Sequence, residues 1–422
     1  MINFNRLSYE LKRNIVRYSE KISKGLTRPQ YKFVTQMLCG LLEGKKAHLS
    51  EIARSLKENI TLKKTIERLS RNLNSFDSTD CIMDNYMNLV KSHIKENAVL
   101  IIDNSDIAKP CSKRLEALSE VRDGSTGEIV LGYQTIDAAV LSQNHKMPLP
   151  VYTKIFSSRE TGFISETYEN LECLKYLSNH FSRKCIRTLD RGFDANDYFE
   201  YFLKRKERFI IRLKMNRNII YSGNTVNALD VVNKYKGRYK IHFKGKDKKA
   251  IQCKMSCIPV KACFAPKEDL TLIAVYGFGK IPMMLLTNIK NPDKKQLANI
   301  ITKVYLLRWR IEEYFKFKKQ QFDFEDIRVW SLKSIRNFNL LVTLLTGYIS
   351  ILSEHQKDNI FVAEILECSK RIYNIPKFIF YAMGYAMADI LSKTKIGIQT
   401  FIKKKDKTQQ LDLFKYMELA AS

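Results

Sequence analysis

The chain has 422 residues, 45% of them hydrophobic, enough apolar material for a large core and two or three domains, which excludes an intrinsically disordered protein. Its 72 lysines and arginines outweigh 44 aspartates and glutamates, leaving a net charge of +28 that is spread along the sequence and not gathered in one tail. That balance points to extended nucleic acid as the partner, although a ribosome-associated or general RNA-binding protein would share it. The nine cysteines are scattered, several in apolar strand-like runs, which is cytosolic usage. Cys253, Cys257 and Cys263 lack the paired spacing of a zinc knuckle. The first residues, Met-Ile-Asn-Phe-Asn-Arg, form no apolar signal core, so the expected location is the cytosol.

Residues 1–95 read as helices joined by short polar turns and are expected to form an all-helical domain. Within it, Ser50 caps a short helix carrying Ile52, Ala53 and Leu56. After a break near Glu58–Thr61, a second amphipathic helix, Leu62 to Leu73, carries Lys63, Lys64, Arg68 and Arg71. Two short helices with the second basic suit a helix-turn-helix that reads a DNA groove, and equally a plain bundle with a solvated basic face. Lys63, Lys64 and Arg68 are the DNA-binding candidates of this region.

From Ala98 the periodicity changes. Ala98-Val99-Leu100-Ile101-Ile102-Asp103 is a continuous apolar run ending in an acid, the mark of a buried strand delivering Asp103 at its end. Strands are expected at Ile129–Val140 and Val151–Ile155, a helix at Glu166–His180, and then Cys185-Ile186-Arg187-Thr188-Leu189-Asp190 repeats the pattern of an apolar run ending in an acid. Arg191-Gly192-Phe193 turns into a helix at Ala195–Lys206, followed by a strand at Arg208–Leu213. Three strands, helix, strand, helix, strand is the order of a ribonuclease-H-like α/β fold, in which acids at strand ends converge on one metal site. Either aspartate alone would more often be a turn or cap residue. The catalytic core is expected at residues 96–214 and 290–355, interrupted by a β-rich insertion at 215–289 whose lysines line a DNA channel or simply face water.

Val304 to Lys319 is expected to be one continuous helix. At about 100° per residue, Tyr305, Arg308, Glu312 and Lys319 share a narrow stripe, and Val304, Leu307, Ile311, Tyr314, Phe315 and Phe322 form the adjacent apolar face. That register places Glu312 beside the core, flanked by two cations and a phenol, as suits a site that holds a metal and grips phosphates. The alternative is a salt-bridged solvated helix. Phe338–Leu352 reads as a core helix too short and too polar to span a bilayer, so no membrane partner is expected. Residues 356–422 form a helical C-terminal region ending near Lys403-Lys404-Lys405.

Tyr305-x2-Arg308-x3-Glu312-x6-Lys319 resembles the Y-x2-R-x3-E-x6-K signature of bacterial DDE insertion-sequence transposases of the insertion-sequence-four family, to which the transposon-five transposase is related. Asp190-Arg191-Gly192-Phe193-Asp194 is similar to the family's second-Asp motif, and Ile101-Ile102-Asp103-Asn104-Ser105-Asp106 to its first. The resemblance covers about residues 98–330. It implies that Asp103, Asp190 and Glu312 are catalytic and hold two Mg2+ ions, with Mn2+ able to substitute, and that Tyr305, Arg308 and Lys319 bind DNA phosphates near the cut end. It also implies double-stranded DNA as partner, both element ends and target, and a homodimer in a synaptic complex in the bacterial cytosol, associated with the nucleoid. A family relative stacks a flipped base on a tryptophan of its insertion. Here the only tryptophans are Trp309 and Trp330, outside the insertion; Tyr276 or Phe278 could substitute as the stacking platform, but both read mainly as core aromatics. Asp106 and Asp137 are reserve acids, Asp106 in a loop. The rival readings are a ribonuclease-H-like nuclease or resolvase, and a domesticated regulator that binds DNA without cutting it.

Overall fold

A computed structural model describes residues 3–141, 148–244, 250–354, 359–373 and 379–402. Residues 403–405, the terminal lysine run, lie outside these.

Five helices come first: α1 (Phe4–Ile22), α2 (Arg28–Gly44), α3 (Leu49–Ser55), α4 (Leu62–Ser75) and α5 (Thr79–Lys91). Asn3 caps α1 by accepting from the Arg6 N–H, and Thr27 and Gln30 form a reciprocal capping box on α2, so the starts of both helices are fixed by local chemistry. Their apolar faces (Leu7, Leu11 and Ile15 on α1; Val34, Leu38 and Leu41 on α2) are fully buried in a core that runs on without interruption into the sheet and the C-terminal helices.

The β region follows as β1 (Val99–Ala108), β2 (Ser119–Arg122), β3 (Ile129–Leu141), β4 (Pro148–Phe156), α6 (Glu166–His180), β5 (Ile186–Leu189), α7 (Asn196–Arg205) and β6 (Arg208–Arg212). Next come β7 (Asn218–Tyr221), β8 (Asn224–Asn227), α8 (Ala228–Lys234), β9 (Tyr239–Lys244), β10 (Ala250–Ala262), β11 (Ala265–Tyr276) and β12 (Met283–Thr287). All twelve strands join one sheet in the order β2-β3-β1-β5-β6-β12-β11-β10-β7-β8, with β4 also on β3 and β9 on β10. β1 runs antiparallel to β3 and parallel to β5, and β5 runs parallel to β6. The strands of residues 218–287 therefore extend the same sheet, joined to it through β12 on β6.

Two expectations change here. β1 does not end at Asp103: it continues to Ala108 because β3 pairs with it along that whole length, and Asp106 is a strand residue and not a loop residue. What ends near Asp103 is the pairing with β5, whose last rung joins Ile102 to Leu189.

The C-terminal half contains α9 (Lys294–Leu306), α10 (Arg310–Gln321), α11 (Leu332–Glu354), α12 (Ile360–Tyr373) and α13 (Ile379–Ser392). α9 packs Leu297, Ala298 and Ile301 against Cys253, Ile273 and Leu285 of the sheet. α10 packs Ile311 and Tyr314 against Val99 and Ile101 of β1. α11 is long and apolar enough to cross a membrane, but 83% of its most apolar window is buried inside the fold, as a core helix requires. It crosses α5 at Gly347, where any side chain would meet the ring of Tyr86, whose hydroxyl donates to the Pro150 carbonyl at 2.7 Å. All nine cysteines are free thiols.

Candidate active site

The parallel register of β1 and β5 sets two acids side by side. Ile102 pairs with Leu189, so the next rung in each strand is Asp103 and Asp190. β6 continues the pattern, because Ile211 pairs with Leu189 and the next residue, Arg212, falls beside Asp190. Asp190 leaves the strand as the N-cap of a 3-10 turn, Arg191–Phe193, and its carboxylate accepts from the Gly192 N–H at 2.6 Å. A Cβ on Gly192 would lie 2.9 Å from Asp190 Oδ1, so the residue must be glycine for the carboxylate to sit there undisturbed.

Glu312 arrives from the other side by a route that differs from the expected single helix. α9 ends at Leu306, a 3-10 turn spans Leu307–Trp309, and α10 begins at Arg310. Three residues wound at about 120° each in place of 100° rotate everything downstream by about 60°. The rotation carries Glu312 away from the core face, and its side chain is 57% exposed, contrary to the expectation that it would lie beside the core. The break also gives Glu312 a place in the first turn of a new helix, where backbone N–H groups favour a carboxylate. Arg310 stacks on the Trp309 ring at 4.6 Å and pairs with Glu313 at 2.9 Å, which holds the turn in place.

Arg308, on that turn, joins the acids. Its Nη1 donates to Asp103 Oδ2 at 2.6 Å and its Nη2 to Glu312 Oε1 at 2.7 Å, with only 17% of the side chain exposed. Burial raises the Asp103 carboxyl to about 7. Arg308 opposes that shift, while Asp190 and Glu312 add to it, which places both of these carboxylates within electrostatic reach of Asp103. Burial lowers the Arg308 guanidinium, but Asp103, Tyr305 and Glu312 outweigh it and the net shift is upward. Tyr305 is buried, its hydroxyl hydrogen-bonded by Arg212. Burial raises its pKa, Arg308 and Arg212 pull it down, and Asp190 pushes it up.

Lys319 lies two turns further along α10 and serves a different pair of acids, Asp106 at 3.3 Å and Glu325 at 2.9 Å. Asp106 also accepts the Gly124 N–H at 3.2 Å. Asp137 stands directly opposite Asp103 in the β1/β3 register but is fully buried, accepting from Tyr314 at 3.1 Å and pairing with Lys318 at 3.4 Å. In the helical region Lys63 and Lys64 are exposed, whereas Arg68 turns back to Glu58 at 2.8 and 2.9 Å, in a cluster with Gln36, Thr65 and Gln399. Tyr276 donates to the Val232 carbonyl and is half-buried.

Arg212 is the participant that the sequence did not single out. Only the strand register brings it to Asp190 and Tyr305, and its sole sequence signal is a cation ending a strand that follows an acid-terminated one.

Two carboxylates bridged by one half-buried guanidinium, with a third on the adjacent rung, form a hard-oxygen donor set whose chemistry suits Mg2+ or Mn2+. Among the described residues a tighter cluster exists elsewhere: His48, Asp323 and Asp326 bring ligand atoms within 4.8 Å of one another. Its members are already engaged, Asp326 with His48 at 3.0 Å and Arg328 at 2.8 Å, and Asp323 with Lys46 at 3.5 Å, so it reads as a junction between α3 and the segment after α10.

Residues 171–347 match the family described as the transposase DDE domain. The match spans less than half of the chain, and it includes Asp190, Arg212, Tyr305, Arg308, Glu312 and Lys319 but not Asp103. No curated protein matches the chain. Among solved structures, the chain is similar to a piggyBac transposase in a synaptic complex with hairpin DNA, at 10% sequence identity and a TM-score of 0.45 over 96% of this chain and 81% of that one.

Proposed function

We propose that the protein is a DDE-type DNA transposase of the insertion-sequence-four kind, with a ribonuclease-H-like core, that binds terminal inverted repeats, cleaves at the element ends and joins the freed 3′-hydroxyl to target DNA. The observation that carries this is that Arg308 bridges Asp103 and Glu312 while Asp190 stands on the rung beside Asp103, on a β4-β3-β1-β5-β6 order with β3 antiparallel to its neighbours. The match to the transposase DDE domain across two of the three acids supports the same reading.

Asp103, Asp190 and Glu312 would hold the divalent cations. Two such ions supply an activated water or 3′-hydroxyl and a counter-charge for the leaving oxygen. The chain's own residues do the remaining work. Gly192 fixes the Asp190 carboxylate through its N–H. Arg308, whose forked donors now span Asp103 and Glu312, has the geometry to take a phosphate in bidentate fashion. Tyr305 and Arg212 form a hydrogen-bonded pair on the Asp190 side that can orient the phosphate next to the one being cut. Lys319, held between Asp106 and Glu325, offers a phosphate a cation further along α10, and Lys63 and Lys64 offer exposed charge on α4. A homodimer pairing two element ends, acting on nucleoid DNA in the bacterial cytosol, completes the proposal.

The experiment is incubation of purified protein with a labelled DNA fragment spanning an element end, in Mg2+, resolving nicked, hairpin and joined strands. The reading expects Mg2+-dependent nicking at the end followed by joining, both absent in Asp190→Ala. Cleavage without joining would favour a nuclease, and binding without cleavage in Mg2+ or Mn2+ a regulator.

A further inference from the structure

Trp330 lies on the segment between α10 and α11 with 66% of its surface exposed, and no hydrogen bond or ring contact engages its indole among the described residues. The exposure is held in place and is not a fraying end. The Trp330 carbonyl accepts from the Glu116 N–H at 3.0 Å, the Leu332 N–H donates to Glu116 Oε2 at 2.7 Å, and Ser331 donates to Asn74 of α4 at 2.6 Å. The chain at and just after the indole is thus pinned to two different parts of the fold.

Trp330 and Arg328 form a ridge between two open grooves. A groove of about 570 Å3 lies between the ridge and α3 and α4, lined by Ser50, Ser70, Arg71 and Asn74. The other, of about 860 Å3, lies between the ridge and the loop that follows β1, lined by Ser112, Lys113 and Arg114. Arg71, Lys113 and Arg114 are exposed and make no ion pair among the described residues. Of the acids that line the second groove, Glu325 pairs with Lys319, Asp323 with Lys46 and Asp326 with Arg328, while Asp123 accepts from Ser125 and pairs with no cation among the described residues. The surface that remains is an aromatic plate flanked on both sides by free cations.

Its position relative to the acids is fixed by β1. Ala108, at the edge of the second groove, is five residues beyond Asp103 on the same strand, about 17 Å at the rise of an extended chain. Duplex DNA rises about 3.4 Å per base pair, so this is the length of about five base pairs.

We propose that this ridge is a duplex-binding surface on which Trp330 packs against the sugar wall of a groove while Arg71, Lys113 and Arg114 hold phosphates on either side, about five or more base pairs inward from the phosphate at Asp103. The inference rests on the transposase reading and adds to it a contact that lies between α4 and the three acids. The partner is a polyanion because three unpaired cations, Arg71, Lys113 and Arg114, on both flanks of the plate outweigh the one unpaired acid, Asp123.

The quenching test uses the full chain in a Trp309→Phe background, so that Trp330 is the only indole, with unlabelled duplex DNA as the probe; duplex binding and nicking are read on the chain that keeps Trp309, because Trp309 lies on the turn that carries Arg308. Saturating duplex is expected to reduce acrylamide quenching of Trp330 severalfold, and Trp330→Ala to weaken duplex binding on the order of tenfold. Replacing Arg71, Lys113 and Arg114 together by alanine is expected to lower the slope of log affinity against log salt by about 3. The proposal is overturned if duplex binds while Trp330 stays as open to acrylamide as before, or if protection of the indole rises with protein concentration alone, which would assign the ridge to a second copy of the chain. Mg2+-dependent nicking with an accessible Trp330 would defeat this proposal and leave the transposase reading standing. Failure to bind any duplex would defeat both.

Discussion

Asp103 and Asp137 face each other across one rung of β1 and β3, yet they have opposite characters. Asp137 is fully buried with a dedicated lysine, Lys318, and a dedicated donor, Tyr314, so its charge is matched one to one. Asp103 shares a single guanidinium with Glu312, feels Asp190 as well, and opens to solvent on the Glu312 side. A matched buried pair is architecture: it locks α10 onto the sheet. Three acids with two cations, Arg308 and the Arg212 that falls beside Asp190, are under-neutralised, and such an arrangement is costly unless further positive charge binds there.

The largest expected effect that sharpens this contrast is on chemistry. Glu312→Ala should reduce Mg2+-dependent strand cleavage about a thousandfold or more, while duplex affinity, measured by fluorescence anisotropy, stays within about twofold, because a ligand is lost and no binding surface. Equal losses in binding and cleavage would dissolve the distinction.

The matched pair should respond in stability instead. Lys318→Met leaves Asp137 buried without its cation and should cost about 3–5 kcal/mol in urea unfolding, whereas Asp137→Asn combined with Lys318→Met should recover most of that loss.

The third prediction concerns pH. The Asp103 carboxyl keeps its proton up to about 7 in the folded chain but only to about 4 when unfolded, so between those values the folded state binds more protons and stability falls as pH rises. With metal chelated, Asp103→Asn should therefore gain stability relative to wild type between pH 4 and pH 8, by a few kcal/mol, with little difference at the acid end. A pH-independent difference would mean that Asp103 is not held in this environment. The smallest effect belongs to Gly192→Ala, which crowds Asp190 Oδ1 and should slow cleavage about tenfold with little loss of thermal stability.

Much of this site was legible in the sequence because its parts are local. Apolar runs ending in acids announced Asp103 and Asp190, and the expected boundaries of α6 match the structure. The break at Leu307–Trp309 was not legible: 3-10 and α-helical backbone angles are close, and no Pro or Gly marks the junction. A 60° error followed from it, and with it the wrong burial for Glu312. Arg212 was hidden for a different reason, since strand register is a property of pairing and does not appear in any single strand. The continuation of β1 to Ala108 has the same origin, being set by the length of β3. For Arg68, composition gave the charge but not the partner: Glu58, ten residues earlier, claims the guanidinium.

The most direct measurement is a Mn2+ titration followed by electron paramagnetic resonance on the wild type, Asp190→Asn, and the Asp137→Asn/Lys318→Met double variant, with no DNA present. If the under-neutralised cluster is the metal centre, the wild type and the double variant bind Mn2+ alike and Asp190→Asn binds it at least about tenfold more weakly. Unchanged binding in Asp190→Asn, or loss of binding in the double variant alone, would contradict the assignment and move the metal away from Asp103, Asp190 and Glu312.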